Sequence, residues 1–254
     1  MRWIGFLVVI FQVSCTIDEL PSCEGLGVEG EICKEYQYVF GRYNGVNEYD
    51  YDVNTGFLSQ ITTKRKNGSI EGVTKYSYDE LGLISSMVFQ DSKGQLLKEK
   101  KIYYNDLGYI DTEITTGESI AEYKYHYEGY VLNAQVLSKN GEIEWVDSLE
   151  YFSGSDEIYR KLRYVNDGLA QITYYESFAN NIKEERVTNN DGVTQYRKVT
   201  HFNDNKYKLE ELIYSKEDIL LNRVVFFYFD GELDRIEKYN DSGEKYEELN
   251  YQRY

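Results

Sequence analysis

Turn signals recur through this chain at fixed intervals, and that beat narrows the fold more than any other feature. Gly56, Gly82 and Gly108 are each 26 residues apart, and Gly68 and Gly94 fall between them at the same interval. Gly117, Gly129 and Gly141 follow 12 residues apart, and Gly231 and Gly243 repeat that spacing. Six hairpin dipeptides join them: Asn44-Gly45, Asn67-Gly68, Asn140-Gly141, Asp167-Gly168, Asp191-Gly192 and Asp230-Gly231. Asn-Gly and Asp-Gly tolerate the positive φ angles of tight hairpin turns. Strands of ~8–9 residues between turns of ~3–5 residues produce this beat. The single proline, Pro21, precedes all of it, so the rest of the chain keeps every backbone donor that a β-ladder needs.

The segments between turns alternate as strands do. In "SIAEYKYHYE", Tyr123, Tyr125 and Tyr127 share one face, with Glu122, Lys124 and His126 on the other. "VTKYSYD" aligns Thr74, Tyr76 and Tyr78, and "LNRVVFFYF" is apolar enough to be buried on both faces. Hydrophobic residues make up 41% of the 254, which predicts a thin core for the length. The 27 tyrosines suit half-buried pleated surfaces, where the ring packs and the hydroxyl reaches water. No segment combines a helical period with caps. The expected fold is all-β: a long, repetitive antiparallel meander, curved or spiralling, of about 15 hairpin-connected strands. "QLLKEKKIYY" puts Lys98 and Lys100 on one face and Glu99 and Lys101 on the other, so neither row suits lipid. The reading is therefore a curved soluble sheet, not an outer-membrane barrel.

"YDYDVNTGFLSQI", residues 49–61, raises the question of a calcium loop. Counting from Asp50, the sixth position is Thr55, the glycine comes seventh, and Ile61 stands where a bidentate Glu is required. The same skeleton recurs in "YSYDELGLISSM" and, more loosely, in "YYNDLGYIDTE". A repeated Asp before a glycine turn points to a hydrogen-bond acceptor for turn N–H groups. The pattern at Tyr76, Tyr78, Asp79, Gly82 and Leu83 resembles the YD (RHS-type) repeat. Tyr49, Tyr51, Asp52 and Gly56 match it with one inserted residue, and Tyr104, Asn105 and Gly108 match it weakly. The resemblance implies an antiparallel sheet able to spiral into a hollow shell; it implies no activity. The Arg that often follows the glycine in such repeats is missing.

The chain opens "MRWIGFLVVIFQVSC", with Arg2 before an apolar run from Ile4 to Val13. That run is too short to span a bilayer and right for a signal-peptide core. Ser14-Cys15 resembles the cleavage and lipidation site of a bacterial lipoprotein, although Gln12 sits where Leu is usual. Asp18 and Glu19, just inside the mature end, resemble the surface-export signal of Bacteroidetes-type lipoproteins. Three cysteines leave one over in an exported protein; lipid on Cys15 leaves Cys23 and Cys33 to pair. The expected organisation is a signal peptide over residues 1–14, an anchored tether and cap over 15–35, and the sheet over 36–254. The protein is then exported, as an outer-membrane lipoprotein at the cell surface or on the periplasmic face.

A net charge of −16 without a clustered basic footprint excludes nucleic-acid binding through phosphates. His126 and His201, 75 residues apart in a sequential meander, do not predict a metal site. No nucleophile elbow, phosphate loop or H-E-x-x-H is present, and no cofactor is implied. The expectation is a non-enzymatic binding or scaffold module that engages a glycan or a protein through its Tyr-rich face. Tyr123, Tyr125 and Tyr127 are its densest row, although aromatic ladders also stabilise a sheet without any ligand. An RHS-type shell wrapping a polypeptide is the alternative; a hydrolase built on paired carboxylates ranks third.

Overall fold

The computed structural model describes Cys23, residues 28–178 and residues 181–254. The leader, Cys15, Asp18, Glu19 and Pro21 lie outside the described residues. Eighteen strands follow one another. They are β1 (Ile32–Val39), β2 (Arg42–Tyr51), β3 (Leu58–Arg65), β4 (Ile70–Tyr78), β5 (Ile84–Asp91) and β6 (Leu96–Tyr104). Next come β7 (Ile110–Thr116), β8 (Ala121–Glu128), β9 (Val131–Lys139), β10 (Glu142–Tyr151), β11 (Ile158–Val165) and β12 (Gly168–Phe178). The last six are β13 (Ile182–Asn189), β14 (Thr194–Phe202), β15 (Lys208–Ser215), β16 (Leu220–Phe229), β17 (Glu232–Asn240) and β18 (Lys245–Arg253).

Each strand pairs antiparallel with its neighbour in sequence, and β1 also pairs antiparallel with β18, Tyr36 opposite Asn250 and Gln37 opposite Leu249. The meander therefore closes into a barrel. The turn beat predicts the hairpins and undercounts the strands, 18 against about 15, because turns such as Phe40-Gly41 and Gly129-Tyr130 lack the expected dipeptide. At 18 strands a barrel is too wide for its side chains to fill. Accordingly, only Cys33, Tyr36, Leu149, Val187 and Val199 are buried apolar residues among those described. The thin core expected from composition is a sheet around a lumen.

Asn44-Gly45 is a strand dipeptide and not a turn. Gly45 backs onto the Lys64 carbonyl, where a Cβ would collide, so glycine there serves close strand approach. β16 is not buried on both faces: Phe229 is 73% exposed at its end, and Phe227 lies under Arg235, 4.2 Å from the guanidinium to the ring centre.

The repeated Tyr-x-Tyr-Asp pattern has a mechanical meaning. Turns after odd-numbered strands form a first rim, and turns after even-numbered strands form a second. At the second rim each odd–even hairpin is open, and from β1–β2 to β9–β10 a tyrosine at the end of the even strand closes it. Tyr78 donates its hydroxyl to the Leu58 carbonyl at 2.7 Å, Tyr104 to Ile84 at 2.9 Å, and Tyr127 to Ile110 at 3.0 Å. Tyr51 does the same to Ile32 at 3.1 Å, and Tyr151 to Leu132. Tyr78 also stacks on Phe57 and Tyr127 on Tyr109, each the aromatic after a turn glycine. The following Asp or Asn then caps the next turn. Asp79 accepts the Leu81 and Leu83 N–H groups at 2.9 Å, and Asn105 accepts those of Leu107 and Tyr109 at 3.0 Å. Asp52 accepts the Asn54 and Thr55 N–H groups at 2.9 Å, and these bonds hold its carboxyl below the usual range. Its oxygen is committed to the turn, as the repeat implies, and not poised for calcium.

Candidate functional site

Register decides which side chains share a face. Tyr123 of β8 lies opposite Leu137, Leu137 opposite Trp145, Gln135 opposite Asp147, and Asp147 opposite Arg163. Continuing round, Lys161 faces Thr173, Tyr175 faces Glu185, and Glu185 faces Lys198. Tyr123, Trp145, Asp147, Arg163, Tyr175 and Lys198 thus belong to one wall. The Tyr row of β8 belongs to this wall: Tyr123, Tyr125 and Tyr127 are half-buried, whereas Lys124 and His126 between them are exposed.

The centre of the wall is Asp147, whose residue surface is wholly inaccessible. Arg163 grips it with two bonds, Nε to Oδ1 at 2.7 Å and Nη2 to Oδ2 at 2.8 Å, and Lys161 stands 3.6 Å from Oδ2. A bidentate guanidinium is the geometry that best compensates a buried carboxylate. The bond to Asp147 raises the pKa of Arg163, fixing its charge. The guanidinium also lies 4.1 Å from the Trp145 ring centre, and the edge of that indole meets Tyr123 at 6.1 Å. Farther along, Lys198 pairs with Glu185 at 2.9 Å, beside a recess of about 450 Å³ lined by Tyr175, Lys183, Glu185, Lys198, Thr200 and Phe202 among others.

Confinement shows in the phenols. Burial pushes Tyr175 up to about 12, and pushes Tyr49 and Tyr251 well above the ordinary tyrosine value. Tyr125 is raised first by burial and then by its 2.9 Å bond to Glu113, which also pairs with Lys100 at 2.7 Å. These hydroxyls stay protonated donors across the neutral range.

Of the residues the sequence singled out, Tyr123, Tyr125 and Tyr127 share one face of β8, and each has a structural partner: Trp145, Glu113 and the Ile110 carbonyl. Cys23 and Cys33 are paired, Cα atoms 6.2 Å apart. Cys15 lies outside the described residues. His126 in β8 and His201 in β14 are not brought together; His201 meets Glu210 at 2.9 Å instead. Sequence reasoning missed the Asp147–Arg163–Trp145 group. Its signal was the alternation Trp145, Asp147, Leu149 facing Arg163 and Lys161 across the Ser153-Gly154 turn, which needs the hairpin register to read.

Among the described residues the perturbed carboxylates are Asp52, Glu150, Glu217, Glu237, Glu247 and Glu248, and all are shifted down. For Glu237, burial pushes up, and hydrogen bonds from Tyr239 and Lys245 outweigh it. None of them is the raised general acid that a carboxylate-pair hydrolase requires. The opposite face of the sheet carries ion pairs as well, including Arg160–Glu150 at 2.6 Å, Arg197–Glu184 at 3.2 Å and Arg223–Glu210 at 2.8 Å.

No family model matches the chain, and no curated protein matches it. Among solved structures, a porin-like protein from Bacteroides uniformis is similar over 92% of this chain and 100% of its own, at 10% identity and TM-score 0.47. A porin-like protein from Bacteroides vulgatus is similar over 88% and 98%, at 10% identity and TM-score 0.35. A chain of the TcdB2-TccC3-Cdc42 structure is similar over 84% of this chain and 16% of its own, at 13% identity and TM-score 0.31. Superpositions this loose carry nothing about function.

Proposed function

We propose that this protein is a non-enzymatic binding module, exported and held at a membrane surface by lipid on Cys15, whose ligand surface is the inner wall of the barrel. The observation that supports this reading most is closure, with a register that puts the Tyr123–Tyr125–Tyr127 row, Trp145, Tyr175 and Lys198 on one face of the closed sheet, the face this reading takes as the inner wall. Rings and protonated phenols suit a glycan, which stacks on aromatic faces and accepts hydrogen bonds. The charged outer face suits water on that side, with lipid contact confined to the anchor. A second reading, a YD-repeat-like shell around a polypeptide, draws on the same concavity; alternating Glu and Lys on the wall would meet peptide charges.

Trp145 is the only tryptophan outside residues 1–14, and it stands on the wall, so its fluorescence reports occupancy. Soluble oligosaccharides are expected to change its emission saturably, and Tyr175→Ala is expected to weaken that response. Saturation by unfolded polypeptide alone favours the shell. No response to either class sinks the lumen reading. The anchor is tested separately: Cys15→Ala is expected to release the protein from the membrane fraction, and retention contradicts lipidation.

A further inference from the structure

Around Asp147 the charges do not balance. Its carboxylate meets two cations, Arg163 Nε at 2.7 Å and Lys161 Nζ at 3.6 Å, and among the described residues neither cation pairs with another carboxylate. Two cations against one carboxylate leave one positive charge over. On the same face Lys100 has Glu113 at 2.7 Å and Lys198 has Glu185 at 2.9 Å, one to one. Access sharpens the surplus. The Asp147 side chain is 1% exposed, whereas those of Lys161 and Arg163 are 23% and 29% exposed. A solute on this face therefore meets the cations and not the carboxylate. Asp147 occupies Nε and Nη2 of Arg163, which leaves Nη1 without a hydrogen bond to any described residue. In a chain of net charge −16, this accessible positive excess runs against the overall balance.

We infer that Lys161 and Arg163 form a subsite for a monoanionic group on a saccharide, a carboxylate or a sulfate ester. This rests on the glycan reading of the same face and adds the sign of the ligand's charge. One surplus positive charge matches a monoanion, whereas a phosphate monoester, at about −1.5 to −2, exceeds it. The Trp145 ring centre lies 4.1 Å from the Arg163 guanidinium and 6.1 Å from the Tyr123 ring, so aromatic surface for a sugar ring stands beside the cations. Lys161 faces Thr173 across the ladder, and Tyr175, two residues on along β12, lines the recess that Lys198 and Thr200 share. Further sugar units thus have a place next to the subsite. Exposed charges more than about 8 Å away are largely screened at physiological salt, so distant acidic groups oppose an anionic ligand only weakly.

The test is calorimetric titration of the full chain at pH 7 with trigalacturonate, with its fully methyl-esterified form, which keeps the rings and loses the charge, and with galactose 6-sulfate. The subsite predicts that a charged probe binds at least ~tenfold tighter than the ester, the margin of a charge-assisted hydrogen bond. Whether trigalacturonate or galactose 6-sulfate shows that preference tells carboxylate from sulfate. Lys161→Met leaves the Arg163–Asp147 bonds in place and is expected to abolish the preference while ester binding stays unchanged; Lys161→Arg is expected to restore it. Ester binding as tight as that of both charged probes, or a preference that survives Lys161→Met, overturns the subsite and leaves the glycan reading standing. No binding of any of the three overturns both.

Discussion

The hairpins and the seam are built from the same antiparallel ladder and held by different means. A hairpin joins residues about 20 positions apart, and a capped turn and a tyrosine clasp finish it, as Asp79 and Tyr78 do. The seam between β1 and β18 joins the two ends of the chain. Tyr36 reaches Gln252 at 3.3 Å across 216 residues, and Gln37 reaches Glu247 at 3.0 Å across 210. No turn helps, and the entropy of bringing distant ends together has to be met by cross-strand contacts. Extra bonds collect there: Tyr254 donates to the Tyr49 carbonyl at 3.2 Å, its ring meets Tyr51, and the Cys23–Cys33 link braces the start of β1. The hairpins are thus finished by contacts local in sequence, while closure depends on a clamp at the ends.

The sharpest break on the hairpin side is Arg163→Met. It leaves Asp147 buried with only Lys161 near, and is expected to cost about 3 kcal/mol, read as a lower denaturant midpoint. On the seam side, replacing Cys23 and Cys33 together by Ser is expected to cost about 2–3 kcal/mol. Its mark is location: hydrogen exchange should quicken in β1 and β18 before β4–β14, whereas Arg163→Met should act on β10–β12. Tyr78→Phe removes one clasp and keeps the ring on Phe57, so about 1 kcal/mol is expected, with no change at the seam. The smallest effect at neutral pH is proton linkage. Tyr51 and Tyr175 sit at about 12 in the folded barrel against about 10 unfolded, so their contribution is whole below pH 10 and lost as pH rises through 12. Alkaline unfolding should therefore coincide with late tyrosinate absorbance, and a normal titration near pH 10 without unfolding would contradict the confined lumen.

What was legible in the sequence divides along the same line. Gly82, Asp79 and the Tyr76/Tyr78 alternation are local signals, and they predicted strands, turns and faces. Asn44-Gly45 misled because the dipeptide describes backbone tolerance, which a crowded strand can use as well as a turn. Closure was not legible, because nothing near Tyr36 or Asn250 names the other. The Asp147–Arg163 pair needed only the β10–β11 register, and so lay within reach of a closer reading.

The central claim is that the meander closes with a defined register, and a cysteine pair at the seam tests it most directly. Gln37→Cys with Leu249→Cys places thiols at facing positions across the seam. The closed barrel predicts rapid oxidation to a 37–249 crosslink, with the native Cys23–Cys33 link retained and the melting temperature unchanged or raised. Shifting the second site to give Gln37→Cys with Lys245→Cys should leave the thiols free. No crosslink at 37–249, or equal crosslinking in both pairs, would mean an open or slipping sheet and would contradict the account.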